Sequence, residues 1–305
     1  MRKRILISLL IIFLLAYHGC SKGLSTTQRE PKIATTIFPL YDITKNVVSD
    51  KLEVIEILPA GASPHTYELT PQQVKRLQGV AIVFGIGHGL DDWTNAIVDV
   101  LPNVKRVVVD KGIRLRKSGL SEGHKEAEAA PHARGGVNPH YWLSISNGEV
   151  IARSVAEEMI QLDPANESHY RANLDAYRSK LIAAKKEIDG SIRDLPNRKI
   201  ITFHDAWPYY AEEFGLEIVA TFEPFPGKQP TPRYLVELHQ KAQEHNVTSL
   251  FSEPQLWTEA IEPFVSDMGL ELYVLDPLGG VEGRNSYIEL LKYNTDIIVE
   301  ALSNE

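Results

Sequence analysis

The sequence predicts an α/β fold: two β/α lobes, each on a four-stranded parallel sheet, joined by one long rigid helix. Three observations carry this. Short apolar or β-branched runs recur four times in each half of the chain. Helix-compatible stretches separate them, the alternation expected of parallel sheets covered on both faces. Between the two sets lies a stretch of about 30 residues without an internal proline, patterned as a single amphipathic helix.

The chain opens with the cationic MRKR and continues with a twelve-residue apolar stretch, 5–16, whose one polar residue is Ser8. That run is shorter than the roughly 20 residues a membrane-spanning helix needs, so residues 1–19 read as an export signal. The only cysteine, Cys20, follows Gly19 directly. The placement resembles a bacterial lipoprotein signal with Cys20 as its lipidated first residue, although Tyr17 stands where an aliphatic residue is usual. The other reading is ordinary signal cleavage that leaves Cys20 unmodified. Residues 20–31 form a polar tether. The mature protein is therefore expected outside the cytoplasm, periplasmic or at the cell surface, held to the membrane if Cys20 is lipidated.

The first lobe, 32–162, has strand-like runs at 33–38, 53–58, 80–84 and 106–110, with helical stretches at 70–77 and 90–100. The segment 119–134 carries His124 and His132 among Glu122, Glu126 and Glu128, and reads as a mobile surface loop. A helix at 147–161 stops before Asp163-Pro164, where Asp163 suits an N-cap and Pro164 a first helical position. The linking helix, 163–195, repeats Tyr170, Leu174, Tyr177, Leu181, Ile188 and Ile192 along one stripe. At 1.5 Å per residue it reaches about 45 Å, enough to cross both lobes. The second lobe, 196–305, has strand-like runs at 199–203, 217–221, 248–252 and 271–275, with helices at 207–214, 232–244 and 258–268.

Composition narrows the function. The 305-residue chain carries a formal charge of −8, which argues against a nucleic-acid binder. One cysteine excludes an intrachain disulfide and a cysteine-based zinc site. Metal chemistry must then use His, Asp and Glu. His65 falls shortly after a strand, His140 at the end of the first lobe, and His204 and Asp276 directly after strands of the second. Beyond the carboxyl ends of parallel strands is where ligands bind in open α/β sheets. Three imidazoles and a carboxylate match a tetrahedral zinc set. Their gaps of 75, 64 and 72 residues form no local metal motif, so spacing alone favours a packed or surface role for each histidine and a helix N-cap or turn role for Asp276. His88 reads as a loop histidine that could face the cleft. Glu253 reads as a partner for a ligand imidazole or as a buried structural carboxylate. The four tryptophans are expected at the cleft walls or in the cores.

The stretches GASPHTYELTPQQ, NPHYWLS, FHDAWPYYAEEFGL, FSEPQ and LDPLGG resemble the signature regions of zinc/manganese-specific solute-binding proteins of ABC transporters, and the similarity runs from about Ile33 to the C-terminus. The resemblance implies two β/α lobes on a rigid helix, with the metal between them on His65, His140, His204 and Asp276. It implies no enzymatic activity, a membrane permease with its ATPase as partner, and a monomer. Manganese-selective relatives often have Glu at the position of His204, so His there points to zinc as the transported ion, with manganese the alternative. Competing classes are a zinc hydrolase, which would keep an open water position, a surface adhesin, and a siderophore or haem receptor, which would need an aromatic or basic pocket.

Overall fold

The computed structural model describes residues 31–118, 136–223, 231–255 and 262–303. The expected export signal, nearly all of the tether, the His124–His132 loop and Trp257 lie outside the described residues.

All eight strand-like runs form strands. The first sheet is built from β1 (Lys32–Thr35), β2 (Val54–Glu56), β3 (Val80–Gly85) and β4 (Lys105–Val108), and the second from β5 (Lys199–Thr202), β6 (Glu217–Thr221), β7 (Ser249–Ser252) and β8 (Glu271–Val274). Both are fully parallel, in the orders β2-β1-β3-β4 and β6-β5-β7-β8. Each order reverses direction after its first strand in sequence. Each sheet therefore has a switch point, between β1 and β3 and between β5 and β7, where chains leave in opposite directions and a crevice opens.

The first lobe departs from expectation at its start. The run through Phe38 leaves the sheet at Thr35 and turns into α1 (Phe38–Val48). Pro39 fits the first turn of that helix, where its missing N–H has no intrahelical partner to lose. Leu40, Ile43, Val47 and Val48 then fall on one buried face. α2 (Pro71–Arg76) is short and opens with a capping box between Thr70 and Gln73. α3 (Asn95–Val100) completes the lobe. α4 (Ile145–Leu162) begins where the Ser144 hydroxyl accepts from the amide of Asn147.

The linking element is a 3-10 turn, Pro164–Asn166, running into α5 (Glu167–Ile192) of 26 residues. Asp163 heads the turn, and its carboxylate takes the Tyr170 hydroxyl at 2.7 Å instead of a backbone amide. Tyr170, Tyr177, Leu181, Ile188 and Ile192 are buried along the expected stripe. At the far end the Arg198 guanidinium donates to the carbonyls of Ile192 and Arg193, satisfying groups a helix terminus leaves open.

The second lobe adds α6 (Pro208–Phe214), α7 (Pro232–His245), α8 (Glu262–Asp267) and α9 (Tyr287–Ser303). Sequence patterning did not single out α9, which buries Tyr287, Leu290, Leu291, Ile298 and Leu302. It packs against α5, as do α1 and α4 of the first lobe. One hydrophobic core thus runs from Ile33 through Tyr177 and Leu181 to Phe251 and Leu302. Polar bonds cross the same divide. The Tyr287 hydroxyl donates to the carbonyl of Trp142 at 2.6 Å, and the Trp142 indole donates to the carbonyl of Pro277 at 2.8 Å. Among the described residues no helix is long and apolar enough to cross a membrane.

The helix junctions give a stability test. A Cβ on Gly148 would sit 2.5 Å from Cε1 of Tyr287, a buried ring already fixed by its hydroxyl. Gly148→Ala should therefore cost about 2–3 kcal/mol in urea unfolding, the range for overpacking. Gly190 on α5 has nothing within 4 Å of that position. Gly190→Ala should stabilise by about 0.5–1 kcal/mol through the less flexible unfolded chain. Equal effects of the two variants would refute this packing.

Candidate metal centre

His204 follows β5 by two residues, and Glu253 follows β7 by one. β5 and β7 are parallel neighbours in the register Thr202 with Phe251. Continuing that register past the strand ends sets His204 beside Glu253 at the switch point. The contact follows: Nδ1 of His204 lies 2.6 Å from Oε1 of Glu253. Its direction is off the line of a good hydrogen bond, so the attraction is chiefly coulombic. The Trp207 indole donates to the same carboxylate oxygen at 3.2 Å and holds it in place.

His140 comes from the first lobe, between β4 and α4. Asn138, two residues earlier, fixes it. Oδ1 of Asn138 accepts from the His140 backbone amide at 3.0 Å and lies 3.1 Å from its Nδ1, while Nδ2 donates to the carbonyl of Asp205 at 2.6 Å. A carbonyl can only accept and an N–H only donate, so the amide has one orientation. Nδ1 of His140 therefore carries the proton and Nε2 keeps a lone pair for a ligand. Asn138 also ties the His140 loop to the residue after His204, across the two lobes. Sequence reasoning missed it, though an Asn two residues before a candidate ligand is the local pattern of such a turn.

His65 lies on the loop after β2, and the Trp93 indole secures that loop by donating to the carbonyl of Pro64 at 3.2 Å. The three imidazoles converge. Nε2 of His140 is 3.2 Å from that of His65 and 3.3 Å from that of His204, and one ligand atom from each ring lies within 4.8 Å of the others. His140 and His204 are buried, and His65 is half-buried. Three of the tryptophans thus brace the site: Trp93 beside His65, Trp207 on Glu253, and Trp142, whose ring packs on that of His140 at 5.2 Å.

The fourth candidate stands apart. Asp276, directly after β8, is buried but is not part of the three-histidine cluster. Its Oδ1 accepts from the amides of Leu278 at 2.9 Å and Gly279 at 3.0 Å, and its Oδ2 pairs with Arg284 at 3.2 Å. His88 is also outside the cluster. It is in the left-handed region at φ 55° and its Nε2 meets Oδ2 of Asp110 at 2.8 Å.

Electrostatics divides the cluster. Burial, then the charge of His204, pushes His65 down to about 3, and burial with both neighbours holds His140 well below the usual histidine range. Burial also pulls His204 down, but Glu253, with Asp205 and Glu223 behind it, outweighs burial and leaves it above its ordinary value. The cleft therefore offers two imidazoles held neutral and a third that keeps its proton more tightly than an ordinary histidine. Nitrogen donors in such a set suit borderline divalent cations such as zinc.

The chain is similar to known proteins over nearly its whole described length. A family model described as zinc-uptake complex component A, periplasmic, matches residues 33–301. The manganese ABC transporter substrate-binding lipoprotein PsaA of Streptococcus anginosus is 29% identical over 97% of this chain and 98% of its own. The metal ABC transporter substrate-binding lipoprotein FimA of Streptococcus parasanguinis is 29% identical over 97% of both chains. Among solved structures, a crystal structure of ZnuA superposes with a TM-score of 0.78 at 29% identity, covering 90% of this chain and 99% of that one. FpvC of Pseudomonas aeruginosa in complex with Mn2+ gives the same TM-score and identity, with 90% and 99% coverage.

The divided electrostatics predicts the pH behaviour. With His65 and His140 already neutral, protons compete with metal only at His204. Apparent zinc affinity should fall by about tenfold per pH unit below the His204 pKa, not the thousandfold of three ordinary histidines, and the fall should begin above pH 6.5. Glu253→Gln should move that limb to lower pH. For the metal-free protein the signs oppose. The raised His204 stabilises fully below pH 6.5 and loses that contribution as pH rises through its folded value. The lowered His65 and His140 destabilise as pH drops below 6.5 towards their folded values, because the unfolded chain then binds more protons. Zinc titrations from pH 5 to 8 decide it: a slope near three protons would show that the histidines titrate alike.

Proposed function

We propose, from the premise that the chain belongs to the family of the periplasmic zinc-uptake component A, that it is a zinc-preferring receptor delivering its ion to a membrane permease. As a member of that family it is the metal-binding, substrate-binding component of an ABC transporter; it works outside the cytoplasm and is not an enzyme. Zinc, the ligand roles and the anchor are the proposed parts.

The observation that carries the zinc reading is the convergence of three Nε2 atoms on one buried point between the lobes. A nitrogen-rich site binds zinc ahead of manganese in the ordinary order of divalent affinities. His65, His140 and His204 are the donors, and Asp276 is the fourth. Glu253 orients His204 and Asn138 orients His140. A manganese receptor of the same type is the second reading, favoured by the manganese-named relatives at 29% identity. Cys20 is proposed as a lipid anchor, in keeping with the lipoprotein names of those relatives.

Purified mature protein should take up one zinc per chain. His140→Ala or His204→Ala should weaken it beyond the about 10–100-fold that loss of an orienting partner costs, while His239→Ala, on α7, should change nothing. His204→Glu should move preference towards manganese by supplying an oxygen donor. Competition between the two ions in a chelator assay measures both effects, and tighter binding of manganese by the unaltered protein would establish the second reading. For the anchor, Cys20→Ser should leave the chain unprocessed or altered in mass; a mature chain with an unmodified Cys20 would remove that part of the proposal.

A further inference from the structure

The geometry points to Arg284 as a specificity-determining residue that shares the Asp276 carboxylate with the bound ion and so limits how strongly Asp276 donates as the fourth ligand. This deepens the receptor reading and rests on it. Four observations support it. Nη1 of Arg284 lies 3.2 Å from Oδ2 of Asp276, with both side chains largely buried. Oδ1 of Asp276 is already taken by the amides of Leu278 and Gly279, so Oδ2 is the oxygen left for a metal, and it is the one Arg284 engages. The main chain that carries Arg284 is fixed in a tight turn: its amide donates to the carbonyl of Val281 at 2.9 Å, and its carbonyl accepts from the amide of Gly280 at 3.0 Å. Its guanidinium lies over the Tyr293 ring at 4.5 Å, and its buried Nε has no hydrogen-bond partner among the described residues. Asp276 is thus its anionic partner, and the carboxylate it engages is the one proposed as the fourth ligand.

The consequence follows from donor chemistry. A carboxylate oxygen that accepts a charge-assisted bond from a guanidinium has less electron density to give a metal. Manganese depends more on hard oxygen donors than zinc does, and zinc draws most of its binding from the imidazoles. Pairing Asp276 with Arg284 therefore penalises manganese more than zinc. It also keeps the buried carboxylate compensated when the cleft is empty, so the metal-free protein remains folded and ready to reload.

The test uses the mature full-length chain with Arg284→Met, Arg284→Lys, Asp276→Asn and the Met/Asn double variant. Zinc and manganese affinities are read by chelator competition, and the donor set by the visible spectrum of the cobalt(II) form. Arg284→Met should tighten manganese about tenfold, the scale of one lost orienting partner, with a smaller change for zinc. Arg284→Lys, which keeps the charge, should stay near the original preference. In the Asp276→Asn background Arg284→Met should alter neither the preference nor the cobalt spectrum. Where the Met variant does not fold, Arg284→Gln, which keeps a donor without the charge, replaces it. Equal loss of both metals on Arg284→Met, or the same shift with Asp276→Asn present, would overturn the inference and leave Arg284 a structural residue. A starting protein that binds neither metal would instead overturn the receptor reading itself.

Discussion

Two imidazole nitrogens 3.2 Å apart cannot both point a proton at each other, and here three rings meet in that way. At most one nitrogen of each facing pair can carry a proton between them, and Asn138 settles the His140 side of both pairs by taking the proton of its Nδ1, which leaves a lone pair on Nε2. Burial and mutual repulsion are a standing cost, visible in the depressed values of His65 and His140. A cation at the centre removes that cost at once. The remainder of the architecture is explained by the need to hold this arrangement without an ion present.

Two features hold it. One is the shared parallel-strand register, which sets His204 beside Glu253 without help from any loop. The other is the inter-lobe bonding. Asn138 reaches Asp205, the Tyr209 hydroxyl donates to the carbonyl of Asn138 at 2.9 Å, and Tyr287 and Trp142 cross in opposite directions. Each of these links starts or ends within two residues of a candidate ligand or on the element that carries one. With α5 as a continuous backbone ladder beneath them, the lobes cannot part widely without breaking several buried bonds, each worth about 1 kcal/mol net and more if left unsatisfied. Small rearrangements of the ligand loops are the less costly response to gaining or losing an ion.

The strands were legible because parallel strands buried on both faces read as short apolar runs. The long helix was legible because its stripe is regular over its whole length. α1 was not separated from β1, because Thr35 to Leu40 contains no charged residue or glycine, its threonines suit a strand, and the proline within it suits a strand end as well as a first helical turn. α9 was missed because TDIIVEALS closes a chain of β/α units without any following strand to bracket it. Among the site residues, the three histidines could be placed by their position after strands and by the motif resemblance. Asn138 and Arg284 could not. Arg284 reaches Asp276 only through a glycine-rich turn in which Gly279, Gly280 and Gly283 all take positive φ, and no periodicity reports such a return of the chain.

The carboxylates that act on the three histidines all lie on the second lobe. The first lobe supplies two imidazoles that burial keeps neutral, whereas the second supplies His204 with Glu253, Asp205 and Glu223 acting on it, and Asp276 beside Arg284. A divalent ion held by the proposed ligands would thus be solvated by the first and neutralised by the second. The two contributions differ in reach: neutral donors act only at bonding distance, while the carboxylates act over several ångströms in a cleft of low dielectric. Under the proposed ligand set, the long-range attraction on a cation would come mostly from the carboxylates of the second lobe, and the short-range donation of two of its nitrogens, His65 and His140, from the first, so that affinity and charge selectivity would be set from different lobes.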